Sequence, residues 1–439
     1  MIAQIAFLAV LAFFGFLIFR RIQRIKKNIH IGKPQRIDDQ PGKRLKTMLL
    51  VAFGQKKMFK RVLPAFFHFL IYIGFILINI EVLEIILDGI LGTHRLFAPY
   101  LGDFYNFLIS FFEVLAVLVI LACMVFLIRR NILKVDRFHK IEMKGWPTMD
   151  ANLILIIEII LMAAILSMNA TDTVLQSRGA EHYTTTGSFL ISGMISPMFA
   201  GVSDSSLVVI ERAAWWFHIV GIFAFALYVT YSKHLHIFMA FPNTYYSRLE
   251  PKGKMNNMQE ITNEVKIMLG MSTGEEGTAP PEGMKFGAKD INDLSWKNLM
   301  DAYSCTECGR CTSECPANLT GKKLSPRKVM MDTRDRMEDV GLSLQKGGKG
   351  LEDGKSLLDD HISREELNAC TSCNACVEAC PVNINPLEII LQMRRYVAME
   401  ESAAPQSWNM MFQNVETNFA PWKFAPTDRF NWANELKEK

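Results

Sequence analysis

The chain has 439 residues, half of them hydrophobic, and a net charge of only +4 at pH 7. That length leaves room for two or three domains. The small positive balance gives no reason to invoke nucleic acid, because the basic residues lie where membrane topology already accounts for them.

The apolar residues are unevenly placed. "MIAQIAFLAVLAFFGFLIF", "AFFHFLIYIGFILINIEVLEIIL", "FLISFFEVLAVLVILACMVFLI", "ANLILIIEIILMAAILSMNA" and "LVVIERAAWWFHIVGIFAFALYVTY" are each about 20 residues long, roughly what a helix needs to cross the hydrocarbon core. Five membrane spans follow. The first, Ile2 to Phe19, has no basic residue before it and no small-x-small site after it, and it runs straight into Arg20 and Arg21. It therefore reads as an outside-to-inside anchor rather than a cleaved signal peptide. Lys and Arg crowd the connections from Arg20 to Arg61 and from Arg129 to Lys144, whereas residues 88–103 and 170–206 hold little beyond Arg95 and Arg178. The positive-inside rule places the N-terminus outside, and both basic connections and everything after Tyr231 in the cytoplasm of a bacterial inner membrane, in contact with anionic lipid.

Ionisable residues inside a span are costly and are functional candidates. His68 lies about one turn into the second span. His218 and His236 are eighteen residues apart, which on a continuous helix is five turns, one face and roughly 27 Å. A b-type haem needs two imidazoles at one depth on facing helices, and His68 with His236, or with His234, meets that requirement near the cytoplasmic face. A second haem on His218 and His94 stands beside the plainer reading that His218 hydrogen-bonds within the bundle. Glu81, Glu84 and Asp88 share a stripe in the outer half of the second span, with Glu113 and Glu158 on neighbouring spans. These carboxylates suit proton exchange with a quinone, or else mark the water boundary and pair with Arg95 or Arg212.

From Lys233 the composition becomes that of a soluble protein. "MSTGEEGTAPPEGMKFG" marks a linker, "DLSWKNLMDAYS" and "SPRKVMMDTRDRMEDVG" read as helices, and "PLEIILQMRRYVAMEE" starts a helix at Pro386. No strand-turn-helix unit carries a Gly-rich nucleotide fingerprint, so no flavin or NAD is expected on this chain.

"CTECGRCTSECP" and "CTSCNACVEACP" take eight of the nine cysteines. Each has the spacing C-x2-C-x2-C-x3-C-P, in which three closely spaced thiolates wrap one cubane and the fourth reaches the other. One [4Fe-4S] cluster is thus assigned to Cys305, Cys308, Cys311 and Cys380, and a second to Cys370, Cys373, Cys376 and Cys315. Disulfides do not suit a reducing cytoplasm, and zinc sites use paired C-x-x-C rather than triplets. Cys123 lies inside a span and reads as a small buried hydrophobe.

"DLSWKNLMDAYSCTECGRCTSECPANLTGKKLSPRKVMMDTRDRM", "NACTSCNACVEACPVNINPLEIILQMRRY" and "WWFHIVGIFAFALYVTYSKHLHIF" resemble the membrane-bound iron-sulfur proteins related to heterodisulfide reductase. These include electron-transfer-flavoprotein:menaquinone oxidoreductases, whose membrane half is similar to the nitrate reductase gamma subunit. The resemblance implies a mainly α fold, a five-span transmembrane helical bundle followed by a cytoplasmic helical two-[4Fe-4S] ferredoxin-like module. It implies a haem b and quinone domain over 1–240, a linker over 241–295, the two-cluster domain over 296–400 and a docking tail over 401–439. It also implies one haem b, or two, with His68, His218 and His236 at ligand positions and Ile78 where a fourth ligand would stand, and menaquinone as substrate. The chain carries no CCG repeat, so a cytoplasmic CCG-domain iron-sulfur subunit or flavoprotein is the expected partner, with Trp408, Trp422, Phe424 and Trp432 forming a docking strand or packing on the cluster module. The function expected is that of an oxidoreductase subunit wiring that partner to the quinone pool. The rivals are a heterodisulfide reductase-like subunit and a membrane ferredoxin for oxidase assembly.

Overall fold

The computed structural model describes residues 1–183, 185–187, 189–271, 285–348 and 350–437; residues 272–284, the centre of the expected linker, lie outside it. Among the described residues five helices are long and apolar enough to cross a membrane: Ile2–Ile29, Val62–Leu91, Asp103–Asn131, Trp146–Ser177 and Asp204–Val229. They are called the first to fifth spans. Among the described residues β-pairing is confined to two isolated bridges, Lys33 with Ser295 and Leu358 with Ile362.

The spans pack through two apolar centres. Ile78, Ile109, Phe112, Val119, Cys123, Leu161 and Leu166 join the second, third and fourth spans. Phe7, Val82, Ile165, Trp215, Ile219 and Phe223 join the first, second, fourth and fifth. Cys123 is fully buried there, as a small apolar residue would be. Close approach is made by glycine: a Cβ at Gly74 would meet Val119 Cγ2 at 2.5 Å, and one at Gly221 would meet Leu161 Cδ2 at 2.7 Å.

The first span has 28 residues and is therefore about 42 Å long, more than the roughly 30 Å hydrocarbon core requires. Its excess rises out of the bundle and packs on the cysteine module. Ile25 joins the module's core, Arg21 makes a two-pronged pair with Glu338 at 2.6 and 3.0 Å, and Asn28 donates to Tyr303 Oη at 2.8 Å. Gly341 makes room for Asn28, whose amide a Cβ there would strike. The second basic connection is clipped to the same module, since Arg327 donates to the Arg137 carbonyl at 2.5 Å and to Glu142 at 2.7 Å. Both basic connections and the cysteine module thus lie at one end of the bundle.

The module itself is helical. Trp296–Ser304 leads into the first cysteine run, Pro326–Gln345 follows it, Arg364–Ala369 leads into the second run, and Pro386–Met399 closes the unit with Pro386 in its first turn. The C-terminal segment forms the helix Gln406–Asn418, a short 3-10 turn at Pro426–Phe430 and the helix Asn431–Lys437. This corrects the expected docking strand. It also corrects the alternative that its aromatics pack on the module, because Trp408, Trp422, Phe424 and Trp432 are all exposed. Trp408, Met411, Phe412 and Val415 fall at i, i+3, i+4 and i+7 and so share one helix face, which satisfies local periodicity without a core beneath it.

Candidate functional site

The two cysteine runs fold into near copies. The residue before the second cysteine is left-handed in both, Glu307 at φ +55° and Ser372 at φ +54°, and so is the residue after it, Gly309 at φ +72° and Asn374 at φ +61°. These turns point three sulfurs inward from each run. A backbone N–H then donates to sulfur at the first cysteine of each: Glu307 N to Cys305 Sγ and Ser372 N to Cys370 Sγ, both at 3.4 Å.

Two cavities result. The first is lined by Cys305, Cys308, Cys311 and Cys380, the second by Cys315, Cys370, Cys373 and Cys376. The fourth cysteine of each run crosses to the other cavity, as the C-P ending suggests. Among the described residues no three or more His, Cys, Asp or Glu converge tightly enough for a single metal ion. Burial pushes the thiols of Cys305 and Cys376 up to about 12 and that of Cys380 up to about 11. Only a bound metal would hold such buried sulfurs as thiolates near neutral pH.

Three histidines gather at the module end of the bundle. The rings of His68 and His236 have centroids 6.4 Å apart, and His234 sits edge-on to His236 at 5.4 Å while also packing on Phe225. The Nδ1 of His68 donates to Gln55 Oε1 at 3.2 Å and that of His236 to the Lys233 carbonyl at 3.1 Å. Each bond fixes the tautomer that leaves Nε2 free for a metal. With Nε2 free on both rings, His68 and His236 are the residues that would hold a haem iron, which would supply one-electron transfer.

The placement of His218 corrects two expectations. His218 and His236 do not share a continuous helix: the fifth span stops at Val229 and a 3-10 turn over Lys233–Leu235 precedes His236. Ser232 caps the start of that turn, its hydroxyl accepting the His234 N–H at 2.9 Å. Nor do His218 and His94 face each other. His218 Nδ1 donates to the Leu161 carbonyl at 2.9 Å, whereas His94 Nε2 lies 3.3 Å from Asp172. Leu161 and Asp172 are eleven residues apart on the fourth span, about 16 Å along its axis, too far for one iron. His218 Nε2 is buried without a partner.

The carboxylates of the second span end in a buried polar network at the opposite end of the bundle. Glu84 accepts the Phe97 N–H and the Tyr105 hydroxyl, each at 2.8 Å. Asp88 accepts the N–H groups of Arg95 at 2.9 Å and Leu96 at 3.1 Å and the Thr93 hydroxyl at 2.5 Å. Asp88 thus holds the loop after the second span, and Glu84 ties that loop to the third span. Glu81 keeps more freedom, its hydrogen bond among the described residues being one from Asn169 Nδ2 at 3.4 Å. Glu113 caps the short helix Leu190–Ile195 by accepting the N–H groups of Ile191 and Ser192 at 2.8 and 3.0 Å.

Sequence reading named Arg95 but missed its partners on the fourth span. Arg95 binds Asp172 at 2.7 Å, Asn169 at 2.8 Å and Tyr105 at 3.2 Å. Asn169, Asp172 and Gln176 stand at i, i+3 and i+7 near the end of the fourth span, a polar stripe that could have been noticed. Arg212 pairs with its neighbour Glu211, not with the second-span carboxylates.

Residues 304–384 match the 4Fe-4S dicluster domain. Over 98% of its length the chain is 28% identical to the protein named "Probable iron-sulfur-binding oxidoreductase FadF" of Bacillus subtilis, of which it covers 61%. Over 91% of its length it is 27% identical to the EtfAB:quinone oxidoreductase of Syntrophomonas wolfei, covering 55% of that protein. Over 33% of its length it is 27% identical to a dihydromethanophenazine:CoB--CoM heterodisulfide reductase subunit of Methanosarcina mazei, covering 35% of it. The chain thus spans between half and two thirds of the length of the first two relatives. No solved structure matches it significantly. The resemblance drawn from the cysteine and histidine segments therefore holds: its homologues are membrane and iron-sulfur oxidoreductases of this kind.

Proposed function

We propose that this chain is the electron-transfer subunit of a membrane quinone oxidoreductase, working between menaquinone and a cytoplasmic CCG-type iron-sulfur or flavoprotein partner. The observation that carries this reading is the juxtaposition, at one end of a five-span bundle, of two four-cysteine cavities and the His68–His236 pair. Cysteines 305, 308, 311 and 380 would hold one [4Fe-4S] cluster, cysteines 315, 370, 373 and 376 the other, and His68 and His236 a haem b. Such groups supply one-electron transfer when bound, and the protein sets their spacing, burial and ligation.

The chain's own residues divide the work. Residues 1–240 would form the haem and quinone domain, 241–295 a linker, 296–400 the cluster domain, and 401–439 the docking tail. Gln55 and Lys233 aim the two imidazoles through their Nδ1 atoms. Glu81, beside Asn169 and Glu113, is the carboxylate of the second span with capacity left for a quinone proton. The exposed Cys373 and the apolar face of the tail are the two surfaces that would meet a partner. The basic residues at the module end support a reading in which that end lies in the cytoplasm, at the inner membrane.

A visible spectrum of the anaerobically purified protein, reduced with a menaquinol analogue, tests this together with iron and haem quantitation. A reduced b-type band with about eight non-haem irons, as two cubanes require, is the expected outcome. Iron without haem would remove the quinone wire and bring forward a membrane ferredoxin for oxidase assembly. A heterodisulfide reductase-like role is the second reading, supported by the similarity of a third of the chain to the Methanosarcina mazei protein. Quinol-dependent reduction of a disulfide by the assembled complex would distinguish it.

A further inference from the structure

The two cysteine loops share a backbone but not their interleaved side chains. Where the first run has Glu307, Gly309 and Arg310, the second has Ser372, Asn374 and Ala375. All three residues of the first loop are engaged by the bundle. Glu307 is buried and pairs with Lys233, which follows the fifth span, and with Arg334 at 2.7 Å. Arg310 donates to the carbonyls of Lys57 and Met58 at 3.3 and 3.4 Å. Gly309 lets the connection between the third and fourth spans come close, since a Cβ there would stand 3.3 Å from the Arg137 carbonyl.

The contacts of Glu307 and Arg310 lead to the two imidazoles. Lys233 holds Glu307 by its ammonium and accepts from His236 Nδ1 by its carbonyl. Lys57 and Met58 follow within three residues of Gln55, which accepts from His68 Nδ1. Each histidine is thus oriented by a segment that also grips the first cysteine loop. The same segment reaches the second run only beyond its three-cysteine loop, where Lys57 donates to the Val377 carbonyl at 3.3 Å and Lys60 pairs with Glu378. That stretch leads to Cys380, which lines the first cavity. Within the second loop, Ser372 meets Arg394 of the module at 3.4 Å, and Cys373 is exposed.

We propose that Glu307 and Arg310 are positioning residues that lock the Cys305–Cys308–Cys311–Cys380 site against the His68–His236 pair, making it the membrane-facing station and leaving the Cys370 site as the partner-facing one. This rests on the reading that the two histidines hold a haem. The order is a consequence of side-chain chemistry grafted on a duplicated loop: charges on the copy that must be held in register with the bundle, small neutral residues on the copy that must stay open.

The test is electron paramagnetic resonance on the whole protein in detergent. A ferric haem speeds the relaxation of the nearer cluster, so in samples where radiolysis in frozen solution has reduced part of the clusters and left the haem ferric, one of the two reduced cluster signals should relax faster. Cys308→Ser should alter that fast signal and Cys373→Ser the slow one. Glu307→Gln and Arg310→Met should keep iron and haem but weaken the relaxation enhancement severalfold, with Arg310→Lys restoring part of it and Ser372→Ala changing nothing. The proposal is overturned if the fast signal responds to Cys373→Ser, or if Glu307→Gln and Arg310→Met both leave the enhancement intact. The cysteine assignment needs neither of those variants to fold. A wild-type protein without a haem band would instead remove the underlying functional reading, and that is seen before any variant is compared.

Discussion

In the cysteine module, three of the four sulfurs at each cavity come from one short run, and a repeated pair of left-handed turns aims them. In the bundle, His68 and His236 come from the second span and from beyond the fifth, and their rings meet only because tertiary packing brings them to 6.4 Å. The module writes its site locally and twice, whereas the bundle writes its site once and across the whole chain. A local site depends on each ligand; a dispersed site depends also on every contact that sets helix depth and rotation.

Removing ligands on each side puts the greatest strain on this contrast. Cys308→Ala and Cys373→Ala should each lower iron from about eight to about four per chain if the cubanes are independent; loss of all iron in either variant would show that the crossed fourth ligands make one cooperative unit. His68→Ala should abolish the haem band with non-haem iron unchanged, and unchanged haem content would sink the assignment of His68 as a haem ligand.

Disrupting the far end of the bundle is expected to have the next largest effect. Asp172→Asn leaves the buried Arg95 guanidinium without its charge partner, and breaking a buried pair costs on the order of 3–5 kcal/mol. Thermal unfolding in detergent should show the bundle's transition lowered while the module keeps its iron. If haem binding at the module end survives as well, the polar network is a structural clamp rather than part of the haem site.

The same contrast explains what could be read from sequence. The cysteine sets were legible because spacing alone decides which thiolates can share a cubane. The five spans were legible from length and hydropathy, and the match of His68 with His236 from depth. The fifth span's continuity was misread because Ser232 looks like any polar residue near a membrane boundary, yet its hydroxyl accepts the His234 N–H and starts a separate turn. Asp172 was overlooked because it falls just past the apolar stretch of the fourth span, and its partner Arg95 lies on a loop whose path sequence does not reveal. Lys233 and Glu307 pair across 74 positions, a contact that no local pattern announces.

The smallest effect separates the two halves of the module itself. The helices leading into both runs start with a capping box and end at the first cysteine. Ser295 accepts the Asn298 N–H at 3.3 Å, and Ser363 accepts the Glu366 N–H at 3.3 Å, each with the reciprocal bond in place. Losing such a cap costs about 1 kcal/mol, which for a unit of this size lowers the melting temperature by about 4–8 °C. The two serines should not respond equally. Trp296–Ser304 is buried along nearly its whole length, so packing sustains it without the cap. Arg364–Ala369 is only six residues long with three buried, and its cap carries a carboxylate at the helix N-terminus, where the dipole favours negative charge. Ser363→Ala should therefore lower the module's unfolding transition more than Ser295→Ala, both with full iron. Equal shifts would mean that the second half of the duplicated module is as firmly packed as the half pressed against the bundle.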